Sequence, residues 1–270
     1  MDTLLKAIDA QLITNPTNIR YLTGFVGVAP EEREAYVLAA KNKTYLFTNS
    51  LYLEAAKKLR SIEIIEISKE RPIAKEIAKI TNSIGFEEND LTVSEYNALK
   101  KCVKLIPTKN YVEDMRVIKR ADEIENIKAA AKRTDESFNF ILGKLKPGVT
   151  EKEIAWEIQR FLQDIAFSPI VAFDSHSSMP HYVTGADPVR LSESSLVLLD
   201  FGARINGYCA DMTRVVFLGK PKNEWAKAYS VVLKAQQKAL DLLKDGVRSG
   251  ATLDAAAKEL IAEADLPPYP

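Results

Sequence analysis

A chain of 270 residues that is 46% hydrophobic and 27% charged has ordinary globular composition and is long enough for two domains. Its 37 Lys and Arg balance 37 Asp and Glu, so no net basic field exists to draw in nucleic acid or an anionic membrane surface. The opening MDTLLKAIDAQLI lacks the basic-then-apolar order of a signal peptide, and no apolar run approaches the roughly 20 residues of a membrane span, a combination that points to the cytoplasm.

Across 1–112, short strand patterns alternate with short helix patterns. Gln11–Thr14, Tyr21–Phe25, Ala35–Ala40 and Thr44–Thr48 are rich in β-branched or aromatic residues and read as strands, with Lys41-Asn42-Lys43 as a turn between the last two. Helices are expected over 51–59 and 72–80, and Thr92-Val-Ser-Glu95 has the spacing of a capping box for a third. Ile62–Ile67, Ile84–Phe86 and Val103–Ile106 complete an α/β sheet domain. It contains no glycine-rich phosphate loop, so nucleotide binding has no support. Cys102 and Cys209 are too few for a disulfide framework and are expected as small buried side chains in a reducing compartment.

A charged connector, EDMRVIKR at 113–120, leads into a second domain at 121–270. Ile124, Ile127, Ala131, Phe138, Ile141 and Leu142 keep helical spacing up to a stop at Pro147-Gly148. Thr150-Glu-Lys-Glu153 caps a second helix, with the stripe Ile154, Ile158, Phe161, Leu162 and Ile165. Strand-like sequence runs over 169–218, and then the helical order starts again. Trp225, Tyr229, Val232, Leu233, Leu240 and Leu243 form a third stripe, and Leu253, Ala256, Ala257, Leu260 and Ile261 a fourth. The joints, Lys-Pro-Gly-Val at 146–149 and Lys-Asp-Gly-Val at 244–247, mark an internal repeat of a helix–turn–helix unit. Strand pattern follows the first copy only, so a sheet built from it is expected to keep an uncovered edge, and the sequence reads as unfinished.

The chemistry gathers in LVLLDFGARINGYCADMTR, residues 196–214. Asn206-Gly207 is a strong signal for a two-residue hairpin, because both turn positions need positive φ. Ile205 then pairs with Tyr208, Asp200 lies opposite Thr213, and Asp211 lies opposite Gly202. Alternation puts Asp200, Asp211 and Thr213 on one face, with the two carboxylates about 7–8 Å or less apart at the backbone. Asp200 ends the apolar run Leu196–Leu199, where a carboxylate is costly to desolvate without a positive partner. A divalent cation is one such partner. An ion pair with Arg190, Arg204 or Arg214 is the other.

DFGARINGYCADMTR resembles the Asp-x-Gly-…-Gly-Tyr-x-x-Asp-x-Thr-Arg pattern of the creatinase/aminopeptidase P/prolidase family. Ser178-Met-Pro-His181 resembles that family's substrate-contacting segment, Asn18-Ile-Arg-Tyr21-Leu-Thr-Gly24-Phe25 the start of its N-terminal domain, and Met115-Arg-Val-Ile-Lys119 its interdomain linker. The resemblance implies an α/β creatinase-like N-terminal domain followed by an incomplete pita-bread (α+β) catalytic domain. It implies that Asp200 and Asp211 are metal ligands, that Thr213 supports them, and that His181 contacts substrate near the scissile bond. Two divalent ions are implied, Mn(II) in most relatives and Co(II) or Zn(II) in some. The family also needs one His and two Glu ligands that no residue here supplies; its Gly-His motif would fall just after Pro270. His176 carries no such expectation and reads as a surface residue.

The expected activity is that of an Xaa-Pro aminopeptidase or dipeptidase, acting on a peptide or dipeptide with proline in second position, and homodimers are common among relatives. Creatinase, with the same fold and no metal, leaves both aspartates unmotivated. The alternative to an enzyme is a non-catalytic peptide-binding module, or a degenerate gene product, on the same fold.

Overall fold

AQLI at Ala10–Ile13 (β1) is buried at all four positions, the mark of a strand with neighbours on both edges and helices on both faces. In the computed structural model, which describes residues 8–26 and 33–266, it lies inside a six-stranded sheet. The chain divides into two compact units, Met1–Lys119 and Arg120–Pro270.

In the first unit the other strands are β2 (Ala35–Ala40), β3 (Thr44–Thr48), β4 (Glu63–Glu66), β5 (Ser83–Glu87) and β6 (Lys104–Thr108), in the order β4-β3-β2-β1-β5-β6. β1 runs antiparallel to β2 and parallel to β5. Leu12, Leu38, Phe47 and Ile84 fill one face beneath α3 (Ile73–Ala78) and α4 (Val93–Leu99). Ile13, Val37 and Leu46 fill the other beneath α1 (Pro16–Thr23) and α2 (Leu53–Ala56). Thr92 and Glu95 form the expected capping box of α4. A short helix, α5 (Glu113–Val117), occupies much of the segment read as a connector.

Tyr21–Phe25, expected as a strand, is instead mostly the second half of α1. The end signals outweigh its aromatic content. Asn15 accepts from the N–H groups of Thr17 and Asn18, Pro16 opens the helix where a missing N–H costs nothing, and Gly24 ends it at φ 73°.

In the second unit, α6 (Ala121–Leu142) and α7 (Glu151–Leu162) pack on one face of an antiparallel sheet. Its strands are β7 (Ile170–Phe173), β8 (Ser195–Phe201) and β11 (Met212–Leu218), in the order β11-β8-β7. Val171, Phe173, Val197, Leu199, Phe201 and Met212 point into the core with Ile154 and Ile158. A two-stranded ribbon, β9 (Arg204–Ile205) and β10 (Tyr208–Cys209), extends the β8–β11 hairpin.

The buried face of α6 differs from the apolar stripe. Glu123, Ala130, Thr134, Ser137 and Ile141 are buried, whereas Ile124 and Leu142 are exposed. Glu123 and Thr134 face inward where the hairpin supplies hydrogen-bond partners, whereas the Ser137 hydroxyl is buried without one.

The second pair of helices is α8 (Asn223–Lys244) and α9 (Gly250–Glu263). α6 and α8 are each 22 residues long, and the joint glycines, Gly148 and Gly246, share a φ of 95°. The repeat is therefore structural. Of the α8 stripe, Tyr229, Val232, Leu233, Leu240 and Leu243 are all exposed, and Ala235 is the sole fully buried residue of that helix among the described residues. No helix among the described residues is long and apolar enough to cross a membrane.

Candidate functional site

The hairpin that carries the two aspartates keeps one register from tip to sheet. Ile205 pairs with Tyr208 and Arg204 with Cys209; beyond a short break, Phe201 pairs with Met212 and Asp200 with Thr213. Asn206 and Gly207 turn at φ 49° and 85°, as a two-residue turn of this kind requires. At the break the strands come unusually close. A Cβ on Gly202 would lie 1.7 Å from the Ala210 carbonyl oxygen, so only glycine fits between the two aspartates.

α6 clamps this hairpin along its length. Tyr208 Oη donates to Glu123 Oε1 at 3.0 Å, and Asn206 Nδ2 donates to Asn126 Oδ1 at 2.9 Å. The Ala203 N–H donates to Thr134 Oγ1 at 3.0 Å, and that hydroxyl donates onward to the Ala130 carbonyl. The signal for Glu123 and Thr134 was their helical spacing with Ile127, Ala130 and Ile141, which a search for apolar residues alone passes over.

Alternation along β8 puts Leu196, Leu198 and Asp200 on the face opposite the core. Asp200 Oδ1 is buried and has no hydrogen-bond partner. Burial and the Asp211 charge push its carboxyl above the usual aspartate range, opposed by a hydrogen bond from Thr213 and by the field of His181. Asp211, Thr213 and His181 thus each act on the Asp200 carboxyl. The three arginines that offered an ion pair hold other partners. Arg190 donates to the Gly148 carbonyl, Arg204 to the Ala166 carbonyl, and Arg214 to the Thr213 carbonyl from the opposite face of β11.

An orphaned buried carboxylate oxygen beside a second carboxylate fits a hard divalent cation, which would relieve both the desolvation and the like-charge repulsion. Among the described residues no three His, Cys, Asp or Glu gather as a metal-binding group; Asp211 acts on Asp200 through its charge.

His181 sits at φ 57° in the exposed segment after a 3₁₀ turn, Asp174–Ser178. His176, read as a surface residue, is buried. Its Nδ1 lies 2.8 Å from Glu151 Oε1 and its ring stacks on Tyr182. The two cysteines correct in the other direction. Cys102 follows α4 in a turn and Cys209 lies on the two-stranded ribbon, and both are exposed.

The chain belongs to the metallopeptidase family M24, whose model matches residues 125–270, while residues 5–118 match the creatinase/prolidase N-terminal domain. The first unit is accordingly a creatinase-like domain and the second is of pita-bread type. The chain is 35% identical to the uncharacterized peptidase YqhT of Bacillus subtilis, over 94% of this chain and 73% of that one. It is 29% identical to an Xaa-Pro dipeptidase of Pyrococcus furiosus, over 96% and 74% of the two chains. Among solved structures, an Xaa-Pro dipeptidase from Bacillus anthracis superposes with a TM-score of 0.82 at 33% identity, covering 95% of this chain and 73% of that one.

Proposed function

We propose that the protein is an Xaa-Pro aminopeptidase or dipeptidase, hydrolysing the bond between an N-terminal residue and proline at a dinuclear divalent-metal centre. The observation that carries this reading is the orphaned buried oxygen of Asp200, whose carboxyl feels the charge of Asp211 and the field of His181. The relatives named as Xaa-Pro dipeptidases support the substrate class.

Asp200 and Asp211 would hold the ions, with Thr213 fixing the Asp200 carboxylate by its hydroxyl. Bound divalent ions, Mn(II) first and Co(II) or Zn(II) as alternatives, supply Lewis acidity toward water and the scissile carbonyl. His181 hydrogen-bonds the substrate carbonyl oxygen as negative charge builds on it, the role of an oxyanion stabiliser. Its exposure leaves the ring open to an incoming peptide.

The chain spans 73% of the length of the Bacillus subtilis relative, and we assign none of its residues to the family's remaining ligands, one histidine and two glutamates. Because only two donors gather among the described residues, a non-catalytic peptide-binding role for this chain is the second reading.

The test is calorimetric titration with Mn(II), Co(II) and Zn(II), together with hydrolysis of Xaa-Pro dipeptides and longer peptides, on the purified protein. Asp200→Asn and Asp211→Asn are expected to nearly abolish metal-dependent turnover. Turnover retained in both variants refutes the metal assignment. Peptide affinity without metal or hydrolysis favours the second reading.

A further inference from the structure

Glu151 is a charged side chain with 1% of its surface exposed, at the first position of α7, where the helix dipole favours a negative group. Three donors converge on its carboxylate. The Phe173 N–H donates at 2.7 Å, Tyr182 Oη at 2.7 Å, and His176 Nδ1 lies at 2.8 Å. A carboxylate only accepts, so His176 carries its proton on Nδ1. All three partners lie on the segment that begins at the end of β7 and includes His181.

That segment contains two non-glycine residues in the left-handed region, Asp174 at φ 49° and His181 at φ 57°. Such backbone persists where its neighbours hold it in place. At one end, Asp174 accepts from the Leu196 N–H at 2.8 Å and from Ser195 Oγ at 3.2 Å, tying the turn to β8. At the other end, Tyr182 follows His181 directly and is pinned by Glu151 while stacking on His176. Thr184 Oγ1, two residues further on, accepts from the Val171 N–H at 2.8 Å.

We propose that Glu151, acting through Tyr182 and His176, is a positioning residue that sets the His181 imidazole against the face carrying Asp200. This rests on the reading of His181 as the substrate-facing group, but its primary test needs no turnover.

The chain has two histidines, His176 and His181, so an imidazole ¹⁵N spectrum resolves every ring in the molecule. In the parent protein, Asp200→Asn is expected to displace the His181 signals. In Glu151→Ala, and in the milder Glu151→Gln and Tyr182→Phe, that displacement is expected to shrink or vanish while the circular dichroism of the fold is kept. A His181 response of parental size in the folded Glu151 and Tyr182 variants overturns the proposal. So does the absence of any response in the parent, because His181 would then not face Asp200.

In catalytically competent protein, Tyr182→Phe is expected to lower kcat roughly tenfold to a hundredfold with KM less affected, the signature of a misplaced group. A purely structural role would lower the melting temperature and leave kcat per folded molecule unchanged. If the spectra respond as expected and no peptidase activity exists, the positioning role stands and the enzymatic reading falls.

Discussion

Two acidic side chains, one in each unit, end a strand beside an apolar core and meet opposite fates. Glu87, at the end of β5, accepts from the N–H groups of Thr14 at 2.6 Å and Asn15 at 2.8 Å, and from Asn18 Nδ2 at 2.6 Å. The Thr14 hydroxyl adds a further bond at 3.1 Å. Asp200, near the end of β8, keeps an oxygen with no donor and has a second carboxylate nearby. A buried acid saturated by donors belongs to the architecture, whereas one left unsatisfied beside a like charge stores a demand for a cation. The difference separates a structural carboxylate from a candidate ligand without reference to any relative.

The most severe way to break the comparison is Gly202→Ala. A methyl placed 1.7 Å from the Ala210 carbonyl must part the strands between the two aspartates, at a cost of about 3 kcal/mol or more in urea denaturation. Next is Glu87→Gln, which sets an amide NH₂ among groups that were all donating. A loss of about 2–3 kcal/mol is expected, and no effect would remove the contrast with Asp200.

Asp200→Asn should act with the opposite sign. In metal-free protein at neutral pH it relieves burial and repulsion together, and the gain, reduced by solvent screening, is about 0.5 kcal/mol. A destabilised variant in thermal melts would show that the carboxylate is structural after all.

Glu151 sharpens the comparison from inside the second unit, because it too is buried among donors, three against the four bonds to Glu87. Burial, the hydrogen bond to Glu151 and the Glu151 charge push the Tyr182 hydroxyl up to about 12. The folded state therefore keeps a proton that the unfolded chain releases near pH 10. This contribution is whole below about pH 10 and is lost as pH rises toward about 12. The alkaline limb of a stability profile should be shallower in Tyr182→Phe.

What could be read in advance was short in range. The Asn206-Gly207 turn dictates its own backbone, and alternation carries its register out to Asp200 and Thr213 even across the break at Gly202. Capping boxes at Thr92 and Thr150 begin their helices within four residues of sequence. The repeat was visible at two glycines because only glycine enters their left-handed conformation without strain.

What remained hidden was decided between elements. Tyr21–Phe25 has strand-like content, yet a cap and a proline just upstream and a glycine at its edge made most of it a helix. α6 turned Glu123 and Thr134 inward, where hairpin atoms roughly 70–85 residues away hydrogen-bond to them. His176 is buried because Glu151, 25 positions earlier, comes to meet it. The sequence by itself determined the helix caps, the turn and the common face of Asp200, Asp211 and Thr213, since each depends on backbone preferences over a few residues. Only the tertiary structure decided which polar side chains are satisfied and which, like Asp200, are left waiting, because satisfaction depends on donors brought from distant parts of the chain.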